Sequence, residues 1–233
     1  VPDCGLAPGI SNILVGHAVK GLDKVQTVHI MVGGLPERPV PPLGYTITWS
    51  PESLIDEYTR KARIVRKGKI VEVEALSGSE EMDFPNVGRL EAFYTDGLRT
   101  LLDTIRNADE MWEKTLRYVG HAKKIKLLRA LGFFDEKQVN VEGFQLCPRK
   151  LTVKLLEQKL WKPEVKDIVA LKVEVSGIKN GKQKRYIYHL FDRYDEKREI
   201  TAMARTTAYP ASIVAQLTLE KTIKEKGVIP PER

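Results

Sequence analysis

The first segment after Pro8-Gly9 carries its apolar residues at helical spacing. Ile10, Ile13, Leu14, Val15, Ala18 and Val19 predict a helix over 10–22, with Ser11 and Asn12 able to cap its start. At about 100° per residue these positions cover well over half the circumference, so this helix needs cover on more than one side. Val25 to Val32 reads as a strand, broken at Gly33-Gly34. Pro36 to Pro42 holds four of the thirteen prolines and reads as an extended loop. Tyr45 to Trp49 alternates like a short strand. Ser50 and Pro51 then open a helix through Arg60, and 62–73 reads as a hairpin turning at Lys67-Gly68-Lys69.

The second half alternates more openly. Val87 to Tyr94 is a strand, followed by a helix near 98–105. Trp112 to Tyr118 is a strand that puts Thr115, Arg117 and Val119 on one side and Leu116 and Tyr118 on the other. Helices are predicted over 121–131, stopped by Gly132, and over 148–161. Three strands follow, at 168–175, 185–194 and 199–206. They turn at Lys179-Asn180-Gly181, a strong hairpin pattern, and at Asp195-Glu196-Lys197. Pro210 opens a last helix through Lys226, ended by Gly227, whose apolar residues again point nearly every way. The pattern predicts an α+β fold: a mostly antiparallel mixed sheet flanked by helices. Its first and last helices would dock onto something beyond the segment itself.

Composition narrows this picture. Of 233 residues, 42% are hydrophobic and 30% charged, which fits a globular chain. No apolar run approaches the ~20 residues that span a bilayer, so no membrane partner is expected. The first residues carry no signal-peptide pattern and no initiator Met, so Val1 reads as an internal boundary. Two cysteines are too few for a disulfide framework, which points to a reducing compartment, the cytoplasm. The balance of 38 Lys and Arg against 31 Asp and Glu gives +7. No RNA-binding motif accompanies that charge, so no nucleic-acid partner is expected.

Candidate chemistry is sparse. There is no G-x-G-x-x-G turn between a strand and a helix to hold a dinucleotide pyrophosphate, and no P-loop. The four histidines, His17, His29, His121 and His189, have no metal spacing, so no metal is expected. His17 and His29 sit in apolar segments as core residues; His121 either faces a site or packs inside. Cys4 reads as an inert thiol. The basic runs at 60–69 and 123–129 read as solvated faces. Residues 3–12 combine small residues, turn residues and a helix N-terminus, which either attracts an anion or is a structural turn. Thr206 and Thr207 fall where a strand gives way to a helix, with capping by Thr207 as the plainer reading.

Several segments in series resemble saccharopine reductases and the related lysine 6-dehydrogenases. They are Asp3-Cys4-Gly5-Leu6-Ala7-Pro8-Gly9-Ile10-Ser11-Asn12; Gly33-Gly34-Leu35-Pro36 with Pro42-Leu43-Gly44-Tyr45 and Thr48-Trp49-Ser50-Pro51; Lys67-Gly68-Lys69-Ile70-Val71-Glu72-Val73; Thr115-Leu116-Arg117-Tyr118-Val119-Gly120-His121; and Ala202-Met203-Ala204-Arg205-Thr206-Thr207 with Pro210 and the closing Gly227-Val228-Ile229-Pro230-Pro231-Glu232. The resemblance implies a catalytic, substrate-binding portion without its N-terminal Rossmann domain. It would divide into 1–24 adjoining that domain, 25–205 for substrate binding and dimerisation, and 206–233 returning to it. After Tyr94 the chain has Thr95-Asp96-Gly97-Leu98-Arg99 where saccharopine reductases tend to carry Pro-Asn-Arg-Asp-Ser, which looks more like the prokaryotic lysine 6-dehydrogenases.

The implied reaction is NAD-dependent oxidative deamination of the ε-amine of L-lysine, with saccharopine or carboxynorspermidine dehydrogenase-like activity as the alternative. A non-catalytic interaction module is the reading from another class. NAD or NADP would be held mainly by the Rossmann domain, the substrate is a small amino acid, and a homodimer is implied. On the implied site, Arg117 grips the carboxylate, its other reading being a surface salt bridge. Asp96 or His121 takes the proton, and Tyr94, Thr95 and Tyr118 hydrogen-bond the amino-acid head. Gly120 keeps the approach open. Cys4, Gly5, Pro8, Thr206 and Thr207 lie beside the nicotinamide.

Overall fold

The computed structural model describes residues 1–233. The chain runs α1 (Ile10–Lys20), β1 (Lys24–Pro36), α2 (Pro51–Thr59), β2 (Ala62–Arg66), β3 (Lys69–Val73), β4 (Glu80–Phe84), β5 (Gly88–Tyr94), α3 (Leu101–Thr104), β6 (Glu110–Tyr118), α4 (His121–Ala130), β7 (Val139–Val141), β8 (Phe144–Leu146), α5 (Pro148–Leu160), β9 (Asp167–Lys179), β10 (Lys182–Arg193) and α6 (Ala202–Leu219). Eight strands form one sheet in the order β10-β9-β1-β6-β2-β3, with β5 beside β6 and β4 beside β5. Only β1 and β6 pair in parallel; every other pair is antiparallel. This is the expected α+β architecture.

Local chemistry accounts for most boundaries. Asn180 and Gly181 both take positive φ, 51° and 72°, as a two-residue hairpin turn requires. Lys67 and Gly68 do the same between β2 and β3. The Ser50 hydroxyl accepts from the Ser53 N–H and caps α2, with Pro51 at its first position.

Four expectations are corrected. β1 does not break at Gly33-Gly34 but continues through them, paired to Ala170 and Val169 of β9. A Cβ on Gly33 would stand 2.6 Å from the Leu116 carbonyl oxygen. The glycine is there for close approach of β1 to β6, not for a turn. Tyr45 to Ile47 are buried but the segment joins no sheet; the Ile47 N–H instead bonds the carbonyl of Leu160, the last residue of α5. The third strand at 199–206 is absent beyond a single bridge between Asp195 and Ile200. In its place α6 begins at Ala202 and carries Pro210 inside it. It ends at Leu219, seven residues before Lys226. Hairpins β4–β5 and β7–β8 gave strands at 80–84 and 139–146 that the pattern did not announce.

Two main cores result. One packs α1, α3 and the start of α6 on β1, β9 and β6, around Val28, Ile30, Leu171 and Val173. The other packs α2, α4 and α5 around Tyr45, Tyr58, Phe93 and Ile125. No helix is long and apolar enough to cross a membrane. Both cysteines are free.

Candidate active site

Between these two cores lies a cleft of about 750 Å³. Its floor is β6. The two-residue period of that strand sends Glu113, Thr115 and Arg117 into the cleft. Lys114, Leu116 and Tyr118 face the other side, where Leu116 and Tyr118 join a third, smaller core. The walls are α2 with Asp56, Glu57 and Arg60; the segment Tyr45, Thr48 and Trp49; the turn Thr95-Asp96-Gly97; and the N-terminal loop with Met203 and Thr207 of α6.

Arg117 is buried, 3% exposed. It donates to the Glu57 carboxylate at 2.9 Å and to the Leu116 carbonyl at 2.9 Å, and its guanidinium lies 4.5 Å over the Tyr45 ring. Its Nε–H has no partner. Burial is the largest single influence and opposes its charge, but Glu57, Tyr45 and Tyr58 together outweigh it and hold the guanidinium protonated, above its ordinary value. Burial pushes the Glu57 carboxyl up, with Arg117 opposing. The surface salt bridge that was the alternative for Arg117 is thus a buried pair.

Glu113 differs from every other acid in the cleft. Asp3 lies 3.8 Å from Arg99, Asp56 pairs with Arg149 at 2.6 Å, Glu57 pairs with Arg117, and Asp96 pairs with Arg63. Glu113 is 4% exposed and takes part in no ion pair; it accepts the Thr95 hydroxyl. That hydroxyl lies 2.8 Å from Thr115 Oγ1. Burial pushes the Glu113 carboxyl up to about 8, against the Thr95 hydrogen bond.

The structure brings six of the expected residues to the cleft: Gly5, Pro8, Thr95, Asp96, Arg117 and Thr207. Asp96 is fully engaged there, accepting Arg63 N–H and Nε at 3.1 Å and Nη2 at 3.2 Å. The other six lie elsewhere. His121 is buried in the second core: its Nδ1 bonds the Leu43 carbonyl at 3.0 Å and its Nε2 the Tyr58 hydroxyl at 2.8 Å. Burial drives it down to about 3, so it is a neutral core histidine. The Tyr94 ring sits under the Lys114 ammonium, 4.7 Å away, on the opposite face of the sheet. The Tyr118 hydroxyl donates to the Pro36 carbonyl at 2.9 Å. Gly120, at φ 91°, is the N-cap of α4 and has open space around it. Cys4 Sγ bonds the Pro2 carbonyl at 3.3 Å, and burial raises its thiol. Thr206 donates back to the Ala202 carbonyl within α6 at 2.8 Å and is buried; it does not stand at a strand end.

Glu57, Glu113, Thr115, Tyr45 and Trp49 were not anticipated as site residues. One sequence signal could have found Glu113: it shares the inward register of Arg117 on a strand that is otherwise buried. Glu57 has no such signal, because it meets Arg117 only through tertiary packing.

The rim formed by Gly5, Ala7, Pro8, Gly34, Thr207 and Ala208 carries little side-chain bulk and fits a flat ring such as a nicotinamide. The chain offers no glycine-rich strand-to-helix turn for the phosphates of a dinucleotide. No group of three or more His, Cys, Asp or Glu could hold a metal ion.

Comparison with known proteins agrees with this architecture. Residues 5–233 match the model of the saccharopine dehydrogenase C-terminal domain. The carboxyaminopropylagmatine dehydrogenase of Synechocystis sp. is 23% identical over 97% of this chain and 58% of its own length. The NADP(+)-dependent, L-glutamate-forming saccharopine dehydrogenase of Schizosaccharomyces pombe is 28% identical over 58% of this chain and 32% of its own length. The chain therefore spans less than two thirds of these relatives. Among solved structures, the L-Glu-forming saccharopine dehydrogenase of Saccharomyces cerevisiae superposes with a TM-score of 0.77 at 20% identity, covering 98% of this chain and 67% of that one. The homospermidine synthase of Legionella pneumophila, solved with NAD, gives 0.51 at 15% identity, covering 98% and 57%.

Proposed function

The chain belongs to the family of the saccharopine dehydrogenase C-terminal domain, and from that premise we propose that it is the substrate-binding part of an NAD(P)-dependent oxidoreductase that oxidises the terminal amine of an amino acid, L-lysine first. One observation carries the reading: Arg117, with an unspent Nε–H, and Glu113, with no cation, stand four residues apart on the cleft face of one strand. Four residues of strand span about 13 Å. Side chains that lean toward each other, each ending in a hydrogen bond of about 3 Å, narrow that span. An extended lysine separates its carboxylate from its ε-nitrogen by roughly 7–8 Å, at six bonds per molecule.

In this reading the carboxylate takes the Arg117 Nε–H, and the ammonium end takes Glu113. Tyr45 and Trp49 line the methylene stretch and exclude water. Gly5, Pro8 and Thr207 border the opening through which the cofactor ring would reach the ε-carbon. NAD(P), when bound, supplies the hydride acceptor; Arg117 and Glu113 supply position and charge.

A second reading, a substituted secondary amine as substrate, has support from the carboxyaminopropylagmatine dehydrogenase that matches over 97% of the chain. Ammonia separates the two, because oxidation of a primary amine followed by hydrolysis releases it and cleavage of a secondary amine releases a larger amine. The test is to supply L-lysine, saccharopine and an N-carboxyalkyl diamine to the full-length protein with NAD or NADP, following reduced nicotinamide and ammonia. Turnover of lysine with ammonia release supports the first reading. Turnover without ammonia supports the second. No turnover with any amine sinks both.

A further inference from the structure

We infer that Glu113 is the proton acceptor of this cleft, held in place by the hydroxyls of Thr95 and Thr115. The inference rests on the amine oxidation proposed above. An alkylammonium cannot lose hydride from the carbon beside nitrogen until a proton has left and freed the lone pair, so the cleft needs a base. Asp96 is spent on three donors from Arg63, and His121 lies inside the second core, bonded on both ring nitrogens. Asp56 and Glu57 hold arginines. Glu113 alone faces the cleft with no counter-ion, and its position is fixed on two sides. Thr95 donates to one oxygen, and a Cβ on Gly97 would stand 2.6 Å from its Cδ, so that backbone lies flat against the carboxyl.

Glu57 on α2 and Asp96 beside β5 disfavour ionisation of Glu113, Arg117 on β6 favours it, and burial is larger than any of these. A carboxyl pushed up to about 8 by burial is a stronger base than an ordinary carboxylate and so better able to take a proton from an ammonium. In the step, an N–H bond of the ammonium breaks, its electron pair stays on nitrogen, and an O–H bond forms on Glu113. With NAD(P) bound, the freed lone pair would support loss of hydride from the adjacent carbon to it, leaving an iminium for water to hydrolyse. In the reductive direction the same O–H returns the proton to the nitrogen. The Thr95 hydroxyl is a positioning group, and Thr115 acts through it, its Oγ1 lying 2.8 Å from Thr95 Oγ1.

The test has two arms. In the first, glutamate carboxyls of the chain itself are carbon-13 labelled and titrated by NMR without substrate, with Glu113→Gln identifying the signal. Glu113 is expected to titrate well above the ordinary glutamate value, near 8, and Thr95→Val to move it higher still, since the lost hydrogen bond favours the ionised form. In the second, the pH profile of oxidative kcat/KM is measured on the full-length protein. It is expected to rise about tenfold per pH unit below the Glu113 midpoint and level above it. Glu113→Gln should lower kcat about a hundredfold or more and abolish that rise. A Glu113 that titrates with the ordinary carboxylates, or a Glu113→Gln protein that keeps the wild-type profile, overturns the assignment. A wild-type protein that oxidises no amine removes the proposed function, while the first arm still decides whether Glu113 is a poised base.

Discussion

At the scale of residues, Arg117 now carries two roles that can be separated. Arg117→Lys keeps the charge but loses the planar fork that reaches Glu57, the Leu116 carbonyl and a substrate carboxylate together. We expect kcat/KM to fall at least about tenfold. Because the pair with Glu57 is buried, urea unfolding should also show a loss of about 1–3 kcal/mol; Arg117→Ala, which strands Glu57, should cost about 3–5 kcal/mol. A lysine variant with wild-type stability and kinetics would mean that neither contact matters. Glu113 predicts the opposite sign. Its folded value, about 8, lies above the unfolded 4.5, so the folded state holds a proton that the unfolded chain has lost. That preference is fully present below about 4.5 and is lost as pH rises toward 8, a difference of up to about 4–5 kcal/mol. Glu113→Gln should therefore match wild type near pH 4 and be several kcal/mol more stable at pH 9, as urea melts at both values would show. Of this chemistry the sequence revealed Arg117 and the Thr95-Asp96 turn, since both sit in recognisable segments. It hid the roles of Glu57 and Tyr45, which meet Arg117 from residues some 60 and 70 positions earlier.

At the scale of elements, β6 organises the site because it is the hub of the sheet. It pairs with β1 on one side and with β2 and then β5 on the other, so its side chains cannot slip register without breaking three ladders. Gly33 is part of that arrangement. Gly33→Ala would push a methyl to 2.6 Å from the Leu116 carbonyl, a backbone atom that cannot rotate away. We expect a loss of about 1–3 kcal/mol in urea unfolding, together with weaker substrate binding as Arg117 shifts with its strand; an unchanged melting curve would show that the two strands are free to separate. The same glycine explains why the strand was misread as ending there: small residues mark both turns and close approaches, and only the partner strand distinguishes them. The start of α6 was hidden for a related reason. Its first two free N–H groups, on Ala202 and Met203, are capped by the Asp167 carboxylate at 2.7 and 2.8 Å, from 35 residues upstream. Thr201 caps a third, on Ala204. With no sequence sign of Asp167, Pro210 looked like the helix start; in fact it is tolerated inside the helix. The hairpin at Asn180-Gly181 was legible because its cause is local.

At the scale of the whole molecule, the two cores place the cleft between them, so substrate binding and the relative position of the cores are one property. The outer side of α6 exposes Ile213 and Leu219, and β10 leaves twelve residues with one side unpaired at the end of the sheet. An unpaired edge of that length usually acquires a partner or a blunting device. Here the other edges of the sheet, β3 and β4, are only five residues long, so β10 is the edge with room for one. Ile187 lies on β10, 44% exposed, next to the paired Arg185 and Glu174. We propose that a second copy of the chain covers this region, related by a two-fold axis so that the same patch meets itself. Sedimentation at tens of micromolar should then give a dimer, and Ile187→Arg should shift it toward monomer, because each two-fold contact would gain two buried like charges. Circular dichroism should stay unchanged, since Ile187 supports no core of the single chain. A wild-type monomer at that concentration would remove the proposal, and a dimer indifferent to Ile187→Arg would move the interface away from β10.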